Sequence, residues 1–99
     1  MLPEEMVEDV AYLFSLLSDP TRLRLVRELH VAGELPVGEL AERTGTTLAN
    51  ASQHLGRLAQ ARLVLRRRAG KRVLYRVEDP RIAELCDLMC ARAQEPLVS

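Results

Sequence analysis

Two cysteines, Cys86 and Cys90, stand four residues apart near the end of the chain. On a helix that spacing places both on one face. Their thiolates could hold a soft metal ion, or form oxidised and persulfide products. A free cysteine is equally an ordinary small apolar side chain, and both readings stay open here. A second group is Asn50, Gln53 and Arg57, preceded by Thr46 and Thr47 and flanked by His54. Asn and Gln amides pair with adenine edges through two hydrogen bonds, and Arg favours guanine or a phosphate. A third group is larger. Residues 46–77 carry eight bases (Arg57, Arg62, Arg66, Arg67, Arg68, Lys71, Arg72 and Arg76) and no acid. Such a run is expected to face a polyanion. His30 and His54 are isolated and share no metal motif with the cysteines. With no nucleophile–base pair and no open metal site, the chain is not expected to be an enzyme.

The basic run is hidden in the totals, because fourteen Lys and Arg cancel fourteen Asp and Glu. Residues 1–45 are net −5, residues 46–77 net +8, and residues 78–99 net −3. With 99 residues, 47% hydrophobic and 28% charged, the chain reads as one globular domain over residues 1–99. Tyr12, Phe14 and Tyr75 are the only aromatics, too few for stacking single-stranded bases. Two cysteines do not make a secreted disulfide scaffold. No apolar run approaches the roughly 20 residues of a membrane span, and no basic-then-apolar leader opens the chain. A cytoplasmic protein with no membrane partner is expected.

These groups need elements to position them. Met6, Val7, Val10, Leu13, Phe14 and Leu17 recur at helical spacing, so a helix is expected over Glu5–Leu17. Asp19 and Pro20 read as the cap and first residue of a helix to about Val31 that buries Leu25, Val26 and Leu29. Gly33 and Pro36 then break the chain, and a short helix over Val37–Thr44 stops at Gly45. Thr46 or Thr47 caps the next helix, which runs to about Ala61. Its expected core stripe is Leu48, Ala51, Leu55 and Leu58, with Ser52 near the buried side and Asn50, Gln53 and Arg57 opposite. Strands are expected at Leu63–Arg68 and Arg72–Val77, joined through Ala69 and Gly70, with Val73, Tyr75 and Val77 on one side. Asp79-Pro80 opens a last helix to about Gln94. The order α-α-α-α-β-β-α is mainly α with a β-hairpin. Two helices across a tight Gly turn, then a basic hairpin, make a winged helix-turn-helix. Its second helix would enter a major groove of double-stranded DNA, and its hairpin would reach phosphates or the adjacent minor groove. The alternative is a winged-helix module that docks an acidic protein without reading DNA sequence.

The chain resembles the ArsR/SmtB family of bacterial winged-helix repressors. The resemblance lies in Leu17-Ser18-Asp19-Pro20-Thr21-Arg22, Val37-Gly38-Glu39-Leu40-Ala41, Ser52-Gln53-His54-Leu55, Ala61-Arg62-Leu63-Val64 and Gly70 through Tyr75. It spans about residues 7–95. It implies a homodimer built from the first and last helices, a palindromic operator, and an inducer that lowers operator affinity. The dimer face would use Val7, Val10 and Phe14 with Ile82, Leu85, Leu88 and Met89.

The family's metal sites depart here. One uses cysteines in a Glu-Leu-Cys-Val-Cys-Asp-Leu pattern, and this chain reads Glu34-Leu35-Pro36-Val37-Gly38-Glu39-Leu40. The other is Asp-x-His, ten residues, His-x-x-Glu. Arg81 and Arg92 replace its two histidines between Asp79 and Glu95, and a guanidinium cannot ligate. Loss of zinc, cobalt and nickel sensing there is expected, with ion pairs across the dimer as a substitute. No cofactor is certain. A soft metal at Cys86 and Cys90 with donors from the other subunit, or a thiol switch, remains. Some sulfur-sensing relatives place a cysteine about where Cys90 stands, but their second cysteine falls at Arg27 here. Two thiols on one helix are poorly directed at each other, so a bridge between subunits is the better expectation.

Overall fold

Local chemistry sets most of the boundaries in the computed structural model, which describes residues 3–95. Helix α1 spans Glu4–Leu17, one residue earlier than the periodicity predicts, and α2 spans Pro20–Ala32. Between them the Asp19 carboxylate accepts the Arg22 backbone N–H at 3.0 Å, and Pro20 occupies the first turn, where its missing N–H costs nothing. Helices α3 (Val37–Thr44) and α4 (Leu48–Gln60) are joined through Gly45, whose φ of 68° is left-handed and suits a residue without Cβ. Of the two threonines, Thr47 is the cap: its hydroxyl oxygen accepts the Asn50 N–H at 3.0 Å. Helix α5, Pro80–Gln94, starts as expected, with Asp79 accepting the Arg81 N–H at 2.9 Å.

The sheet differs from the expected two-stranded hairpin. A short strand β1, Leu35–Pro36, precedes α3, so the order becomes α-α-β-α-α-β-β-α. It pairs antiparallel with β3 (Arg72–Val77), which also pairs with β2 (Val64–Ala69), giving the order β1-β3-β2. Two residues are too few for a period-2 pattern, so this strand has no signature in the sequence. Strand β2 is displaced by one residue from the expected Leu63–Arg68. Leu63 instead closes the end of α4, donating its N–H to Leu58 O at 2.9 Å while Arg62 takes a left-handed φ of 64°.

Helix α2 is central and packs against α1, α3, α4, α5 and β3. The core joins its Leu25, Val26 and Leu29 to Leu40, Ala51, Leu55, Leu58, Val64 and Tyr75. Two expectations for α4 are corrected. Leu48, the first residue of the helix, is 56% exposed although Ala51, Leu55 and Leu58 of the same stripe are fully buried, and Ser52 is exposed rather than packed. Helix α1 buries only Leu16, leaving Met6, Val7, Val10, Tyr12 and Phe14 exposed, as are Leu88 and Met89 on α5. Ile82 packs partly against the chain's own core, and Leu85 is half-buried.

Candidate nucleic-acid interface

The α3–turn–α4 unit carries the polar group expected of a reading helix. Gln53 and Arg57 are exposed and, with His54, line a shallow hollow on α4. Asn50 is half-buried, and its Nδ2 donates to Thr46 Oγ1 at 2.7 Å. Thr46 therefore positions Asn50, while the Thr47 hydroxyl is occupied as a cap. His54 is held from behind: Arg22 Nη1 lies 3.2 Å from its Nδ1, and Arg22 Nε donates to Leu16 O at 2.6 Å. Arg22 was not among the expected site residues. No pattern in the sequence links two positions so far apart.

The wing divides its charges between two faces. Residues opposite each other in an antiparallel pair point the same way. Arg66 and Arg68 face Tyr75 and Val73 across the ladder, and with Val73 and Arg67 they line a second surface hollow. Arg67 belongs to the other face, with Arg72 and Arg76 by register parity. There Glu34 takes the whole Arg67 fork, with Nε–Oε2 and Nη2–Oε1 both at 2.7 Å. The hydrogen-bonded guanidinium holds the Glu34 carboxyl below its ordinary value and raises Arg67 in turn. Arg62 lies 3.7 Å from Glu78. The run without acids in sequence is thus partly answered in space. Among the described residues, Arg57, Arg66, Arg68, Lys71, Arg72 and Arg76 make no ion pair.

Cys86 and Cys90 share an open apolar cleft of about 440 Å³ with Phe14, Leu17, Leu23, Leu85 and Met89. Cys86 is buried and Cys90 half-buried. Burial pushes the Cys86 thiol up, and the nearby Cys90 and Asp87 add to this. No three His, Cys, Asp or Glu of one chain gather into a metal-binding group among the described residues, so a site of three or more such ligands at these thiols would need donors from a second copy. The positions of the family's last-helix site do not suit zinc. Arg81 forks onto Asp79, with Nη2–Oδ2 at 2.7 Å, and Arg92 lies 3.5 Å from Glu95. Within one chain, then, each of these guanidinium groups already has a carboxylate partner. His30 is not isolated: its Nε2 lies 3.1 Å from Asp87 Oδ2, joining α2 to α5.

A helix pair across a glycine turn, with a basic antiparallel wing beside its second helix, defines a winged helix-turn-helix protein. Residues 17–67 match the family model described as a helix-turn-helix domain. The chain belongs to the ArsR/SmtB family of winged-helix transcriptional repressors. It is 39% identical over 84 residues to the HTH-type transcriptional regulator KmtR of Mycobacterium tuberculosis, covering 85% of this chain and 64% of that one. It is 36% identical over 96 residues to the biofilm growth-associated repressor of Xylella fastidiosa, covering 93% and 83%. Among solved structures, the antimony-specific repressor AntR matches with a TM-score of 0.86 at 31% identity, over 95% of this chain and 85% of that one. A homodimeric winged helix-turn-helix DNA-binding domain from Mycobacterium bovis, a possible ArsR-family regulator, matches at 0.81 and 33%, over 92% and 83%. No described helix is long and apolar enough to cross a membrane.

Proposed function

We propose that this chain represses transcription as a homodimer bound to a palindromic operator, with α4 in the major groove and the wing on flanking phosphates. The observation that carries this reading is the placement of free charge. Gln53 and Arg57 stand exposed on α4, and the strand packed against that helix, β2, carries Arg66 and Arg68 without ion pairs among the described residues. Phosphate contacts by such bases position the protein, and the α4 side chains read base edges. The exposed apolar residues of α1 and α5, Val7, Val10, Phe14, Leu88 and Met89, supply a face for the second copy, and the homodimeric relative supports that use. Thiol oxidation, a sulfur species or a soft metal at Cys86 and Cys90 releases the DNA, because the cleft holding both thiols adjoins this face.

The test is selection from fragmented genomic DNA, followed by titration of the retained duplex over a salt series. Half-sites about one helical turn apart are expected. With six phosphate contacts per dimer, log K should fall against log salt with a slope of about −5. A flat salt response, or equal affinity for a scrambled duplex, overturns the reading. A Cys86→Ser/Cys90→Ser variant that is still released normally by oxidants and soft metals overturns the thiol part alone.

A further inference from the structure

The contact between Arg22 and His54 ties the end of α1 to the reading helix, and its chemistry fixes one proton. A guanidinium has five N–H donors and no acceptor. With Arg22 Nη1 3.2 Å from His54 Nδ1, the attractive arrangement requires Nδ1 to offer a lone pair. The imidazole proton then sits on Nε2. That atom reaches solvent and has no partner among the described residues. It lies in the hollow shared with Gln53 and Arg57, on the face proposed above to meet DNA. Arg22 is itself fixed at two further points. Its Nε donates to Leu16 O at 2.6 Å, and its backbone N–H donates to Asp19 Oδ2 at 3.0 Å. Its contact with the imidazole is therefore already formed in the free chain.

We infer that Arg22 is a positioning residue for DNA binding: it holds His54 in the Nε2–H form, aimed outward to donate to a DNA phosphate. The inference rests on the DNA-binding reading above. A glutamine at position 54 can place an amide N–H near the Nε2 position, whereas asparagine stops about where Nδ1 lies. A hydrogen bond to a charged acceptor is worth about tenfold or more in affinity.

The experiment has two arms. In the free protein, long-range 1H–15N spectra of the imidazole should show His54 protonated on Nε2, and Arg22→Met should remove that preference. A wild-type His54 protonated on Nδ1 overturns the inference. In the second arm, affinity is measured for the duplex that wild type retains from a random-sequence pool. His54→Gln should stay within about threefold of wild type, while His54→Asn and Arg22→Met each weaken binding by about tenfold. In the His54→Gln background, Arg22→Met should cost less than about threefold. Equal cost in both backgrounds overturns the inference, because Arg22 would then act independently of the imidazole. Should Arg22→Met fail to fold, Arg22→Lys carries the same cycle, since one ammonium cannot serve Leu16 O and His54 together. Failure of the DNA-binding reading is distinct: the wild type itself retains no duplex.

Discussion

Glu34, at the entry to β1, accepts both prongs of the Arg67 guanidinium from β2, reaching it past the central strand β3. One of the wing's bases therefore comes already neutralised. A phosphate would have to displace a carboxylate to use it. Arg68, on the opposite face and free of ion pairs, has no such competitor.

Arg68→Ala should lower the steepness of the salt dependence by about 0.9 for each phosphate that Arg68 neutralises, while Arg67→Ala should leave it nearly unchanged. Glu34→Gln should strengthen binding at low salt by releasing Arg67. Fluorescence anisotropy with a labelled operator over a salt series measures all three. An equal decrease of slope in the two arginine variants would sink this account of the wing.

Acid should weaken the fold through the same ion pair. The Arg67 fork holds the Glu34 carboxyl below its ordinary 4.5, the Arg22 backbone N–H holds Asp19 below 3.8, and Arg81 holds Asp79 below 3.8. A carboxylate with a lowered folded-state pKa binds fewer protons folded than unfolded. Its stabilisation is present above the ordinary value and is lost as pH falls through and below it. Tm should therefore drop between about pH 5 and pH 2, and Glu34→Gln should fall less steeply over that window. Calorimetry on the two proteins checks it; parallel curves would show that Glu34 contributes nothing.

Helix α4 offers an internal control on packing. Leu55 is fully buried and Leu48 is 56% exposed, although both lie on the same periodic stripe. Leu55→Ala should cost about 2–5 kcal/mol, the range for emptying a core leucine site. Leu48→Ala should change monomer stability by no more than about 0.5 kcal/mol. Urea unfolding at low protein concentration distinguishes them.

The two thiols should not react alike. Cys86 is buried with its thiol pushed up, and Cys90 is only half-buried. Thiolate is the reacting form, so alkylation at neutral pH should label Cys90 well before Cys86. Peptide mass spectrometry over a time course gives the order. Cys86 labelling first would contradict the structure of the cleft.

Most of the helical scaffold was legible because its signals are local. Asp19 with Pro20, Thr47, Gly45 and Asp79 with Pro80 each act within four residues of themselves, through a cap, a fixed φ or a left-handed turn. The stripe on α4 was legible too, but its first member, Leu48, was not. Periodicity says which face a residue is on, and only neighbouring elements decide whether that face is covered at a given turn. The same limit applies at Ile82, whose spacing gives its face but not that it is partly covered by the chain's own core.

The residue order by itself determined the helix boundaries, the turn between α3 and α4, the hairpin and the concentration of eight bases in residues 46–77. These follow from backbone geometry and from charges counted along a line. Tertiary structure alone decided which of those charges remain free, that Arg22 reaches His54, and that His30 joins Asp87. Strand β1 belongs with them: two residues become a strand only because β3 presents its edge. Side-chain pairing depends on distance through space, and elements far apart in sequence set that distance only when they pack around α2.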